Sequence, residues 1–328
     1  MKLSSLLTIT GVLMTTMTMT TAGCQALKSE TSVTEDAKLP GIWKIQNKKV
    51  EISVDASRGR IMHYGFRGGA NVLWTNYEAE KPEYANGGWV NWGGDKIWPW
   101  PMDLFGGWPP PEVSYEVRPS DDGKGLVMTS AVVPKISARI VRTIELADDN
   151  SSMIVTSVLE PTDVNFGKPM AAWSITQIPT PQSLYVRIAL ASDRQRYINR
   201  PHEGNDVFEA KEVGDRVVKL STPTITGKTF FDGEVIAAVY PDYVLLQRQL
   251  PIQTEGIWLP DQRAQIFSNP LDSKSVPPGY SYFELEWSAP ILPPVQVHKA
   301  PLRVVYKLVK INKNTTPEQI VQMIDESP

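Results

Sequence analysis

From Ile42 onward, apolar residues recur at every second position in short runs, and clusters of Gly, Pro, Asn and Asp separate the runs. A period of two sends successive side chains to opposite faces of an extended strand, so each run has one apolar face to bury. The segment Val50–Asp55, VEISVD, alternates in this way with Val50, Ile52 and Val54 on one face. Comparable runs are 60–66, 113–118, 126–132, 138–146, 153–160, 170–177, 184–189, 235–240, 244–248, 280–287 and 303–309. Short polar connections such as 147–151 predict antiparallel pairing. Only the end reads as helix: Thr316 as N-cap, Pro317 at the first helical position and Gln319 completing a capping box, followed by Ile320, Val321, Met323 and Ile324 on one face. Alternating strands need a second sheet to cover their apolar side. The expectation is therefore an all-β chain, a large antiparallel β-sandwich over 41–328 with a short C-terminal helix. No internal repeat and no linker after Pro40 divides it.

The N-terminus carries an address. Met1 and Lys2 precede a threonine-diluted apolar run from Leu3 to Thr20, and Thr21-Ala22-Gly23 then leads into Cys24, the one cysteine among 328 residues. Charged start, apolar middle and small residues make a secretory signal. Their position directly before a lone cysteine resembles the bacterial lipoprotein signal, in which that cysteine is acylated after cleavage. The resemblance implies a signal peptide over 1–23, a lipid anchor on Cys24 that holds the protein on a membrane, and a cell-envelope location. Gln25 after the cysteine implies the outer membrane if the cell is Gram-negative. Acyl chains contribute about 0.8 kcal/mol per buried methylene, so two or three suffice for stable attachment. Residues 25–40, polar and charged, are expected to be a flexible tether.

Thirty-three basic against 36 acidic side chains give a net charge of −3, and no basic stripe offers a nucleic-acid footprint. Five of ten tryptophans, Trp89, Trp92, Trp98, Trp100 and Trp108, fall within 87–111, a stretch broken throughout by Gly and Pro. Prolines remove backbone donors, so this stretch is expected to be an ordered surface loop rather than a strand. Indole faces beside Asn91, Asp95 and Lys96 suit a sugar, whose C–H faces stack while its hydroxyls hydrogen-bond. The competing reading is a satellite apolar cluster packed under a long loop.

The segment from Val50 to Phe66, followed by Gly69-Ala-Asn-Val-Leu-Trp74, resembles the opening hairpin of galactose-mutarotase-like proteins, the aldose 1-epimerase-like superfamily. Pro277-Pro278-Gly279-Tyr280 through Trp287, then Val304-Val305-Tyr306, is similar to its final strands. The loop Gly93-Gly94-Asp95-Lys96-Ile97-Trp98-Pro99-Trp100-Pro101 resembles one found in uncharacterised bacterial members. The resemblance implies a mutarotase-like supersandwich, no cofactor, and a glutamate base near the C-terminal end, for which Glu284 and Glu286 are the candidates. These two lie two residues apart on one strand face, Cα atoms about 6.6 Å apart, with Phe283, Leu285 and Trp287 opposite.

The superfamily's two histidines have no counterpart: Trp92 precedes the paired glycines, and the central strand around Trp173 has none. His63, His202 and His298 do not cluster, and no Cys/His metal set, phosphate loop or nucleophile elbow is present. The leading expectation is a membrane-tethered carbohydrate-recognising protein without ordinary mutarotase activity. Its ligand-binding residues would be Trp89, Asn91, Trp92, Asp95, Lys96, Trp98, Trp100, Trp173 and Gln177, with Glu284 and Glu286 as hydroxyl acceptors. A second is a sugar epimerase using Glu284 or Glu286 as base and Asp95, Lys96 or His63 as acid. A third is a structural envelope lipoprotein that grips a protein partner through its tryptophans. A tryptophan segment lying over the concave sheet face beside Glu284 favours sugar; one on a convex edge favours a protein.

Overall fold

The computed structural model describes residues 31–77, 85–86, 89–105, 112–147, 149, 151–163, 167–188, 208–223, 226–257, 263–269 and 281–327. Cys24, Trp108 and His202 lie outside them, as do the signal and residues 25–30 of the tether.

The strands overlap every one of the alternating runs and also form outside them. In chain order they are β1 (Ser32–Glu35), β2 (Ile42–Gln46), β3 (Val50–Asp55), β4 (Arg60–Phe66), β5 (Ala85–Asn86), β6 (Trp89–Val90) and β7 (Asp95–Trp100). Then come β8 (Tyr115–Pro119), β9 (Gly125–Ser130), β10 (Ala138–Leu146), β11 (Ser152–Pro161), β12 (Ala171–Ile178), β13 (Ser183–Ile188) and β14 (Ala210–Glu212). The last are β15 (Val217–Leu220), β16 (Gly227–Phe231), β17 (Gly233–Val239), β18 (Tyr243–Gln249), β19 (Ala264–Asn269), β20 (Tyr282–Ser288) and β21 (Leu302–Lys310). The described residues also form two α-helices, α1 (Pro294–Val297) and α2 (Pro317–Asp325).

A nine-stranded sheet runs β1-β2-β3-β4-β7-β12-β20-β19-β16, and a ten-stranded sheet runs β14-β15-β13-β17-β18-β21-β11-β10-β9-β8. Apolar residues from alternate positions meet between them: Ile52, Val54, Ile61, Phe283, Leu285 and Trp287 from the first sheet, Leu126, Ile140, Ile144, Val155 and Tyr306 from the second. The Trp287 indole donates to Gln247 Oε1 at 2.9 Å, so the largest core side chain leaves no buried donor unpaired. The capping box on Thr316 and Gln319 opens α2. Its Ile320 and Ile324 seal the outward face of the ten-stranded sheet against Tyr185, Val235, Val244 and Leu246. Among the described residues no helix is long and apolar enough to cross a membrane.

Two expectations are corrected. Ser32–Glu35, expected within the tether, pairs antiparallel with β2, so ordered sheet begins ahead of residue 41. The tryptophan stretch, expected to be a loop, contributes β7, an interior strand between β4 and β12. Proline is tolerated there for a geometric reason. Gln177 N donates to Gly94 O, and hydrogen-bonded pairs recur every second residue, so the amide position of Pro99 points away from β12. On that other side β4 pairs with β7 only through Ile61 and Asp95, and no ladder bond is lost at Pro99.

Candidate functional site

Alternation along β7, β12 and β20 sorts the candidate residues onto two faces. Asp95, Ile97 and Pro99 point to the core, which leaves Lys96, Trp98 and Trp100 on the outward face. Register then aligns Trp98 with Trp173 and Lys96 with Ile175 across β7 and β12. Across β12 and β20 it aligns Gln177 with Glu284 and Ile175 with Glu286. Lys228 on the edge strand β16 faces the same way, through Phe267 and Glu284.

These side chains form a floor of alternating charge and indole. Glu286 is fully buried, and its Oε2 accepts from Trp173 Nε1 and from Lys228 Nζ, each at 2.8 Å. Glu284 Oε1 accepts from Gln177 Nε2 at 2.7 Å and lies 3.9 Å from Lys96 Nζ. The Lys96 ammonium also sits 3.9 Å above the Trp98 ring, where the face of the indole favours the cation. Trp173 meets Trp98 edge-on at 5.9 Å and Trp100 at 5.0 Å. Among the described residues, Glu286 Oε1 and Gln177 Oε1 are buried acceptors without a hydrogen-bond partner.

Burial sets the electrostatics. It pushes Glu286 up to about 7, with Glu284 adding to the rise, while the Lys228 ammonium and the Trp173 N–H pull the other way. It lowers Lys96 to about 8 against the attraction of Glu284. Burial thus displaces both the carboxylate and the ammonium towards neutrality, a property that marks candidate functional sites. Among the described residues no group of three or more His, Cys, Asp or Glu is placed to hold a metal.

Asp95 is not on the outward face. It is fully buried between the sheets, ion-paired with the equally buried Arg142, and its Oδ2 accepts from Thr176 Oγ1 and Tyr306 Oη at 2.6 Å each. Burial and the neighbouring carboxylate hold the Tyr306 phenol well above its ordinary value, so it stays a donor. Since Asp95 and Lys96 are adjacent on a strand, fixing the first in the core fixes the second on the floor. Asn91 is likewise no surface group: it is buried and accepts from Gly93 N at 3.3 Å. Trp98 and Trp173 are buried within the floor, so the expectation of several open indoles is corrected to Trp100, which is half-buried. Trp92, also half-buried, lies under the Arg58 guanidinium at 4.3 Å. The backbone of Trp89 is in β6; its side chain is outside the described residues. His63 lies on β4, 3.3 Å from Glu51, and His298 follows α1.

Residue patterns alone missed Lys228 and Arg142. Lys228 is one lysine in a short stretch without clear alternation, and only the sheet order brings it to Glu286.

Fold and floor together define a class: a two-sheet antiparallel sandwich with coupled carboxylates, ammonium groups and indoles on the outward face of one sheet. Solved structures with a similar chain path include HI1317, at TM-score 0.49 and 11% identity, covering 86% of this chain and 100% of that one. YeaD from Salmonella typhimurium, described as a candidate mutarotase, matches at TM-score 0.49 and 11% identity over 86% of this chain and 97% of its own. The 4-alpha-glucanotransferase of Thermococcus litoralis matches at TM-score 0.39 and 13% identity, over 87% of this chain and 42% of that one. At these identities and scores the likeness assigns neither a reaction nor a ligand. No protein-family model matches the chain. No curated protein matches it.

Proposed function

We propose that this protein is a lipoprotein, held on a bacterial membrane through Cys24, that recognises carbohydrate on the floor formed by β7, β12, β20 and β16. In a Gram-negative cell the membrane is the outer one. The observation that carries the reading is the pair of partly exposed charges at the rim, Glu284 and Lys228, on a floor whose Trp173 ring lies 5.0 Å from the Lys228 ammonium and 5.0 Å from the half-buried Trp100. A sugar ring offers an apolar face to an indole and hydroxyls to charged partners, and this floor supplies both. Lys96 of the tryptophan-rich strand lies 3.9 Å from the Glu284 carboxylate on one sheet face, which supports a polar small ligand such as a sugar. Isothermal titration of the full-length protein in detergent against a broad glycan panel tests the reading. Binding that Glu284→Gln weakens supports it, and no ligand in the panel removes it.

A second reading, an aldose isomerase, is favoured by one arrangement: Lys96 and Glu286 flank Ile175 on the outward face, and burial lowers the first to about 8 and raises the second to about 7, which gives an acid and a base without histidine. The recognition reading predicts that freshly dissolved α-glucose and α-galactose mutarotate at the buffer rate. General acid–base catalysis commonly contributes about 100- to 10,000-fold. A polarimetric rate well above buffer, abolished by Glu286→Gln, puts the isomerase first.

A further inference from the structure

The floor does not end at β7. Val54 and Ile61 pair in the core, and a bulge in β4 between the partners of Ser53 and Val54 then turns His63 outward, opposite Ser53. Ser53 in turn pairs with Lys44, and Glu51 pairs with Gln46. These residues therefore share the outward face of the same sheet with Lys96, Glu284 and Lys228. They line a cavity of about 350 Å³ with Ile52 and Tyr77. That volume lies within the range of small-ligand sites.

The lining has a chemical character. His63 Nε2 is buried and lies 3.3 Å from Glu51 Oε1, and burial lowers the imidazole below its ordinary value, so near neutral pH the ring is uncharged, with one donor and one acceptor nitrogen. Space for the ring is built in: a Cβ at Gly65 would stand 3.2 Å from His63 Nε2 and 2.5 Å from Ala70 O. Tyr77 is 61% exposed, so its ring is open for stacking at the edge of the cavity. Lys44, at the rim, is held by Asp36 at 2.7 Å. An exposed aromatic ring over serine, glutamine, carboxylate and imidazole groups suits a polyhydroxylated ligand more than an apolar one.

We propose that this cavity is a distal saccharide subsite, so that the protein takes an oligosaccharide lying across the outward face from Tyr77 and His63 to Glu284 and Lys228. The proposal rests on the carbohydrate reading above and deepens it. By register His63 stands level with Ile178, within one residue of Gln177 and its partner Glu284. Three strand spacings separate β4 from β20, about 14 Å. That span exceeds a single pyranose ring and needs a chain of linked rings.

The test is calorimetric titration of the full-length protein in detergent. The probes are glucose, galactose, mannose and N-acetylglucosamine, each with its linear di-, tri- and tetrasaccharide. In the series that binds, affinity should rise with chain length. Tyr77→Ala and His63→Ala should each remove about two- to tenfold of the gain while leaving the monosaccharide unchanged. Glu284→Gln should weaken every member. Monosaccharide binding with no gain at greater length overturns the distal subsite and leaves the carbohydrate reading standing. A gain that survives both Tyr77→Ala and His63→Ala overturns its location. If no saccharide binds at millimolar concentration, both proposals fall. Tyr77 is exposed, so its variant reports binding without loss of folding.

Discussion

Replacing Asp95 by Asn separates a structural carboxylate from a ligand-binding one. Both members of the Asp95–Arg142 pair are fully buried, and the three donors around the carboxylate, Arg142, Thr176 and Tyr306, use both of its oxygens. An amide offers one acceptor oxygen and one NH2. If the oxygen faces Arg142, the NH2 opposes the two hydroxyls; turned round, it opposes the guanidinium. Breaking a buried pair by removing one partner costs about 3–5 kcal/mol. Donors left unsatisfied push the loss towards the upper end. With a urea m-value of about 3 kcal/mol/M, the midpoint should fall by roughly 1–2 M. Equilibrium unfolding followed by tryptophan fluorescence reads it. A loss below about 1 kcal/mol refutes the buried network. A variant that kept its midpoint and lost glycan affinity would return Asp95 to the binding residues.

Three further outcomes follow from the same geometry. Glu286 titrates higher folded than unfolded, so its stabilising contribution is complete below its ordinary value of 4.5 and is lost as pH rises through about 7. The wild type should therefore lose stability across that window relative to Glu286→Gln, and urea midpoints at a series of pH values will show parallel curves if it does not. Trp100→Ala should weaken a bound glycan by about two- to tenfold with the fold intact, as calorimetry and circular dichroism together can establish. Cys24→Ser should abolish incorporation of a labelled fatty acid, and equal labelling of the variant would remove the lipoprotein assignment.

Much of the architecture was legible because strand alternation is a local signal. Val50–Asp55, Arg60–Phe66 and Ala138–Leu146 fall where the period places them, and the capping box at Thr316 opens α2. The shared face of Glu284 and Glu286 was equally legible, because it follows from spacing alone. β7 was not. Its two tryptophans on one face form a period-two pattern, but Pro99 argues against a strand until the neighbouring ladder is known to stop at Asp95. Had β7 been read as a strand, period two would have forced Asp95 and Lys96 to opposite faces and excluded one of them from the site. Which one depends on Arg142 and Tyr306, 47 and 211 residues away in sequence. Lys228 is 58 residues from Glu286 and reaches it through β19, a strand without a clear run of its own. Contacts of that range are set by topology.

The most direct measurement is the ¹⁵N-indole spectrum of the protein during titration with a glycan that binds. The Trp173 indole donates to Glu286 on the floor, whereas the Trp287 indole donates to Gln247 in the core between the sheets, so the two report site and scaffold separately. The account predicts that the Trp173 and Trp100 resonances shift in step with saturation while Trp287 stays fixed. A glycan that saturates the protein and leaves Trp173 and Trp100 unmoved would contradict it.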